Sequence, residues 1–142
     1  MTKDITIAAL ALVFAISCKS KQLNKQQKQS YAYEFGDYGG FTGSKTVKIM
    51  NKDGAVYHLL PSISGTDSVF LGQMPDSLRS DLDLLTIKAL KHERINETGN
   101  MNAYLKIYRN DSLIREYDWP MGKKDLPVEI SNLYDLINRV KK

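Results

Sequence analysis

From Tyr31 onward the sequence predicts an α+β domain: one antiparallel sheet of four to five strands with two helices packed on one face, in the order βββαββα. Three observations predict it. Short runs that alternate apolar and polar residues, separated by turn residues, carry the period of strands. Two stretches that each open on a proline repeat their apolar residues at the spacing of one helix face. The order of these runs is strand, strand, strand, helix, strand, strand, helix, and a single sheet covered on one side is the simplest way to bury them.

The first strand is YAYEF, Tyr31 to Phe35. TVKIM (Thr46 to Met50) follows, and Asn51-Lys52-Asp53-Gly54 supplies a hairpin turn into AVYHLL, Ala55 to Leu60. Pro61 has no backbone N–H and is expected to stop the ladder. A Ser/Gly/Asp loop then leads to Pro75, where Leu78, Leu82, Leu85 and Ala89 line one helix face and Asp76 suits the positive helix end. That helix is expected to fade over His92 to Asn96, with Gly99-Asn100 ending the connection. AYLKIY (Ala103 to Tyr108), the turn Arg109-Asn110-Asp111 and LIREYDW (Leu113 to Trp119) form a second hairpin. Pro127 opens the last helix, with Ile130, Leu133, Ile137 and Val140 inward and Arg139, Lys141 and Lys142 at its negative end.

Ahead of this domain, Ile5 to Ser17 reads ITIAALALVFAIS behind a leader containing Lys3. As a helix it spans about 20 Å of a ~30 Å hydrocarbon layer, too short to cross, so residues 1–17 read as a signal peptide. The run ends in Ala15-Ile16-Ser17-Cys18. Here the chain resembles bacterial lipoproteins, whose cleavage box closes on a small residue followed by the modified cysteine. The resemblance implies cleavage after Ser17 and lipidation of Cys18, the only cysteine in the chain. Two or three acyl chains suffice for stable anchoring, at about 0.8 kcal/mol per buried CH₂. Residues 18–30 would be the lipidated Cys18 and a flexible tether: KSKQLNKQQKQS holds four lysines, no acid and one apolar residue. Its reach is about 20 Å. Residues 31–142 are then one globular domain.

The formal net charge is +4, and the four tether lysines account for that excess. The rest is close to neutral, which argues against a nucleic-acid partner. Lys19 stands after Cys18, where enterobacterial lipoproteins retained at the inner membrane carry aspartate. By resemblance, the periplasmic face of the outer membrane is the expected address.

Gly36-Asp37-Tyr38-Gly39-Gly40-Phe41-Thr42-Gly43-Ser44 lies between the first two strands, longer and richer in glycine than a hairpin needs. It reads either as a bulged turn with Phe41 folded back on the core, or as a binding loop displaying Tyr38 and Phe41. It is no phosphate-binding loop: Gly43-Ser44-Lys45-Thr46 has an inserted serine and leads into a strand. The string Gly39-Gly40-Phe41-Thr42-Gly43 resembles one near the start of small Bacteroidota-type lipoproteins, in which a turn like Gly99-Asn100-Met101 precedes a strand and a Trp such as Trp119 ends the next. More distantly the chain is similar to emfourin-type inhibitors of thermolysin-like metallopeptidases. These resemblances imply a lipid-anchored envelope protein that binds or inhibits, with a peptidase as one partner.

No catalytic set is legible. His58 and His92 share no metal-ligand spacing, and Asp81, Asp83, Glu93 and Glu97 follow a helix and its end as solvated charge. The expectation is a non-enzyme without cofactor or metal. On the strand Ala103–Tyr108, Tyr104, Lys106 and Tyr108 point away from the set expected to face the helices, so they are candidate contact residues on an open sheet face. Asp67-Ser68-Val69, Asp76-Ser77-Leu78 and Asp111-Ser112-Leu113 resemble O-glycosylation acceptors of Bacteroidota, marking Ser68, Ser77 and Ser112.

Overall fold

The structure, a computed structural model, describes residues 31–140. The leader, Ser17, Cys18 and the basic segment that follows lie outside the described residues, as do Lys141 and Lys142. The described residues form β1 (Ala32–Gly39), β2 (Ser44–Met50), β3 (Ala55–Ser62), β4 (Gly65–Gln73), α1 (Asp76–Ala89), β5 (Ile95–Asn96), β6 (Met101–Arg109), β7 (Ser112–Pro120) and α2 (Val128–Asn138). They make one seven-stranded sheet in the order β4-β3-β2-β1-β6-β7-β5. All neighbours are antiparallel except β5, which runs parallel to β7.

The expected sheet of four to five antiparallel strands in the order βββαββα is therefore corrected to a seven-stranded mixed sheet in the order ββββαβββα. The two extra strands have physical reasons. β4 is an edge strand, exposed from Gly65 to Phe70, and an edge exposed on both faces needs no apolar alternation. Its Ser/Gly/Asp composition therefore reads as a loop. β5 is two residues long and is placed by pairing with β7, which local propensity cannot announce. Pro61 does not end β3, which pairs with β4 as far as Ser62. It lies beyond the last β2–β3 pair, Val47 with Leu59, and its missing N–H suits that position.

The register sorts side chains between two faces. On one, Tyr33 and Phe35 of β1 lie beside Ile107 and Leu105 of β6, which neighbour Tyr117 of β7. All are buried, and α1 and α2 cover this face with Leu82, Ala89, Ile130, Leu133 and Ile137. Each fully buried large apolar side chain contributes about 1.5–3 kcal/mol. The helix-facing set of α1 differs from the expected one: Leu78 is 37% exposed, while Thr86 is fully buried. Thr86 Oγ1 donates to Leu82 O and stands 2.7 Å from Tyr33 Oη, so its hydroxyl is satisfied inside the core. Tyr117 Oη donates to Ala89 O, and Tyr134 Oη donates to Gly36 O at 2.9 Å, tying each helix to the sheet. Trp119 is buried edge-on against Tyr134, with ring centroids 5.2 Å apart.

The β6–β7 hairpin turns on Asn110 and Asp111, both with positive φ, as a two-residue loop of the type matching strand twist requires.

Candidate binding surface

The first two strands continue further than their apolar letters suggest. β1 runs through Gly36, Asp37 and Tyr38 to Gly39, opposite Ser44, so the nine-residue glycine segment contracts to a turn over Gly40–Gly43. Gly40 N donates to Asn100 O at 2.7 Å, and Gly43 N to Gly40 O at 3.1 Å. Phe41 is fully exposed at the tip, with Thr42 exposed beside it. Of the two alternatives for this segment, the fold-back onto the core is not the one adopted.

The glycines have a packing role. A Cβ on Gly39, where φ is +107°, would come within 2.4 Å of Asn100 O, and one on Gly99 within 2.7 Å of Pro120 Cβ. Gly39, Gly40, Asn100, Met101 and Pro120 thus meet at one end of the sheet. Asn102 secures this end. It is 1% exposed; its amide nitrogen donates to Glu97 O (2.6 Å) and to Asp118 Oδ1 (2.5 Å), and its oxygen accepts from Gly99 N at 2.8 Å. Tyr38 Oη donates to the other oxygen of Asp118 at 2.7 Å, and that hydrogen bond raises the tyrosine's pKa. Asn102→Ala leaves three polar groups without their partner and is expected to destabilise the domain by about 2–3 kcal/mol, read from urea unfolding midpoints. Asn102→Asp would keep the Gly99 contact while setting a carboxylate against Asp118.

Away from the helices, Glu34, Tyr38, Tyr104, Lys106 and Tyr108 share the open face, as the β1–β6 register requires. Lys106 Nζ donates to Glu34 Oε1 at 3.2 Å and Tyr108 Oη to Glu34 Oε2 at 3.3 Å. Burial alone would lower the pKa of Lys106, but hydrogen bond and charge from Glu34 outweigh it, and the pKa is raised. Tyr104 departs from a displayed contact residue. It is only 3% exposed, beneath Tyr38 at a centroid distance of 6.2 Å and between the ammonium groups of Lys45 and Lys106, 5.4 and 5.7 Å from its ring. Tyr104 is the floor of the face; Tyr38, Lys106 and Tyr108 are its half-buried surface.

The structure thus brings Tyr38, Tyr104, Lys106 and Tyr108 together and sets Phe41 apart at the turn. Sequence reasoning missed Glu34, Lys45, Asn102 and Asp118. Glu34 was findable, since it alternates with Tyr33 and Phe35. Asn102 and Asp118 were not, because their pairing depends on the β6–β7 register.

His58 is half-buried on β3 opposite Lys48, and His92 Nε2 lies 3.0 Å from Glu129 Oε2. Among the described residues no group of three or more His, Cys, Asp or Glu could hold a metal ion. No helix among them is long and apolar enough to cross a membrane. Ser68 on β4, Ser77 in the first turn of α1 and Ser112 at the start of β7 are all exposed. Comparison with protein-family models and with curated protein sequences finds no match to this chain.

Proposed function

We propose that this chain is a lipid-anchored envelope protein, held through Cys18, that acts as a binding or inhibitory module on a protein partner, with a peptidase as the first class to test. The observation that carries the reading is Phe41: a fully exposed aromatic ring at the tip of a short turn. The turn is pinned to the neighbouring β6 end through Gly40 and Asn100. An apolar anchor on a braced loop costs little entropy to immobilise, which is the economy of a pre-organised contact. The adjoining face adds Tyr38, Lys106 and Tyr108, residues suited to a partly wet protein contact.

The direct test incubates the chain with a thermolysin-like enzyme and follows peptide hydrolysis. Inhibition at micromolar protein supports the inhibitory reading; none, together with no crosslinked protein partner in native membranes, overturns the binding reading. Phe41→Ala is expected to weaken partner binding roughly tenfold or more, with stability changed by less than about 0.5 kcal/mol because the ring touches no core. Anchoring is tested separately: palmitate labelling should disappear in Cys18→Ala, and labelling that persists sinks it. Co-sedimentation with peptidoglycan in place of a protein would indicate a structural role on the cell wall.

A further inference from the structure

The two edges of the sheet are unlike. The far edge is β7, capped by the two-residue β5 only at Tyr117 and Asp118 and guarded along the rest by Arg115 and Glu116, whereas β4 runs nine residues, Gly65–Gln73. An open edge presents alternate backbone N–H and C=O groups that only another extended strand can satisfy along their whole length. Natural edges are usually guarded by lysine, by proline or by brevity. β4 contains neither lysine nor proline and a single charge, Asp67.

The β3–β4 hairpin also carries apolar groups on both faces. By register, Leu60 and Val69 lie toward the helix side, and Tyr57, Leu59 and Phe70 toward the open side. Val69 is 47% and Phe70 41% exposed, so neither face of β4 is covered by the rest of the domain. Tyr57 and Phe70 meet edge to face with centroids 5.5 Å apart, giving an added strand a firm aromatic neighbour.

We infer that β4 is a dimerisation edge and that its occupant is β4 of a second copy of this chain, antiparallel about a twofold axis through Ser68. The register follows from the strand itself. A twofold axis normal to the sheet pairs residues of the same face, so it must pass through a residue and not between two. Leu71 is a bulge, since Val56 opposes Gly72 while Tyr57 opposes Phe70, and regular pairing is confined to Gly65–Phe70. An axis at Asp67 would set two carboxylates directly opposite, which is repulsive. One at Thr66 or at Val69 leaves only three regular residues on each strand. The axis at Ser68 pairs Thr66 with Phe70 and Asp67 with Val69 across the copies, places no like charges opposite, and pairs five residues on each strand.

The test uses the full chain in detergent. Sedimentation should give a two-chain mass, and Val69→Asp, which sets a carboxylate directly opposite Asp67 of the second copy, should weaken association at least tenfold. Should Val69→Asp fail to fold, Ser68→Cys decides: two directly opposed residues stand at disulfide distance, so mild oxidation should yield a homodimer. The unsubstituted chain, whose only cysteine is Cys18, and Ser112→Cys at an exposed site on β7 set the background. A single-chain mass at high concentration, a Ser68→Cys dimer yield no greater than that of Ser112→Cys, or crosslinking of the Ser68→Cys variant to a different protein each overturns the proposal.

Discussion

Gly36→Ala is expected to cost roughly 3 kcal/mol or more, above the ordinary range for overpacking by one methyl. Gly36 is buried in β1, opposite Val47. A Cβ there would lie 2.0 Å from the carbonyl oxygen of Thr46 and 2.9 Å from its carbon. Both are backbone atoms of the adjoining strand, so no side chain can swing aside and the β1–β2 ladder must part. The disturbance would spread, because the Gly36 carbonyl receives the Tyr134 hydroxyl and so holds α2 against the sheet. For a domain of this size the thermal midpoint should fall by roughly 12 °C or more. Gly43→Ala is the control: its Cβ would meet nothing within 4 Å, and only its φ of +62° is unfavourable, for a cost of about 1–2 kcal/mol. Equal losses in the two variants would contradict the close approach of β2 to Gly36.

Alkali is expected to unfold the domain sharply. Burial raises the pKa values of Tyr33, Tyr104, Tyr117 and Tyr134 above the ordinary 10.0. A group that holds its proton more tightly when folded contributes stability that is present in full below the unfolded pKa. That stability is lost as pH rises through the folded one. Above pH 10 each such tyrosine is ionised mainly in the unfolded chain, and each then removes up to about 1.4 kcal/mol per pH unit. With four such groups the losses add, so stability falls steeply as pH rises above 10. Tyrosinate absorbance and circular dichroism should therefore change in one coincident step above about pH 11. Smooth ionisation near pH 10 with the dichroism intact would show that these hydroxyls are not held by the fold. Tyr33→Phe should make the alkaline limb less steep.

The parts of the fold legible in the sequence are those whose side chains must alternate between core and solvent. Ala103–Tyr108 and Leu113–Trp119 sit between a helix-covered face and an open one, so their pattern is forced. Ile130, Leu133, Ile137 and Val140 are all buried for the same reason. β4 lacks that constraint because it is exposed at both faces, and β5 exists only by pairing with β7. Gly36 to Gly39 hid the end of β1, since the residue type that signals a turn is also the one that admits close backbone approach. At the candidate surface, the face shared by Tyr104, Lys106 and Tyr108 followed from period two alone. The burial of Tyr104 did not, because the cover over its ring comes from Tyr38, Lys45 and Lys106, which three strands bring together.

The inequality of the two sheet edges sets a limit on assembly. A chain with one open edge and one guarded edge has a single valence: once β4 is matched with its twin, the outer rims of the pair are both β7 edges, capped in part by the two-residue β5 and carrying Arg115 and Glu116 along the rest. Growth then has nowhere to continue, and the association closes as a discrete pair where two open edges would template a filament.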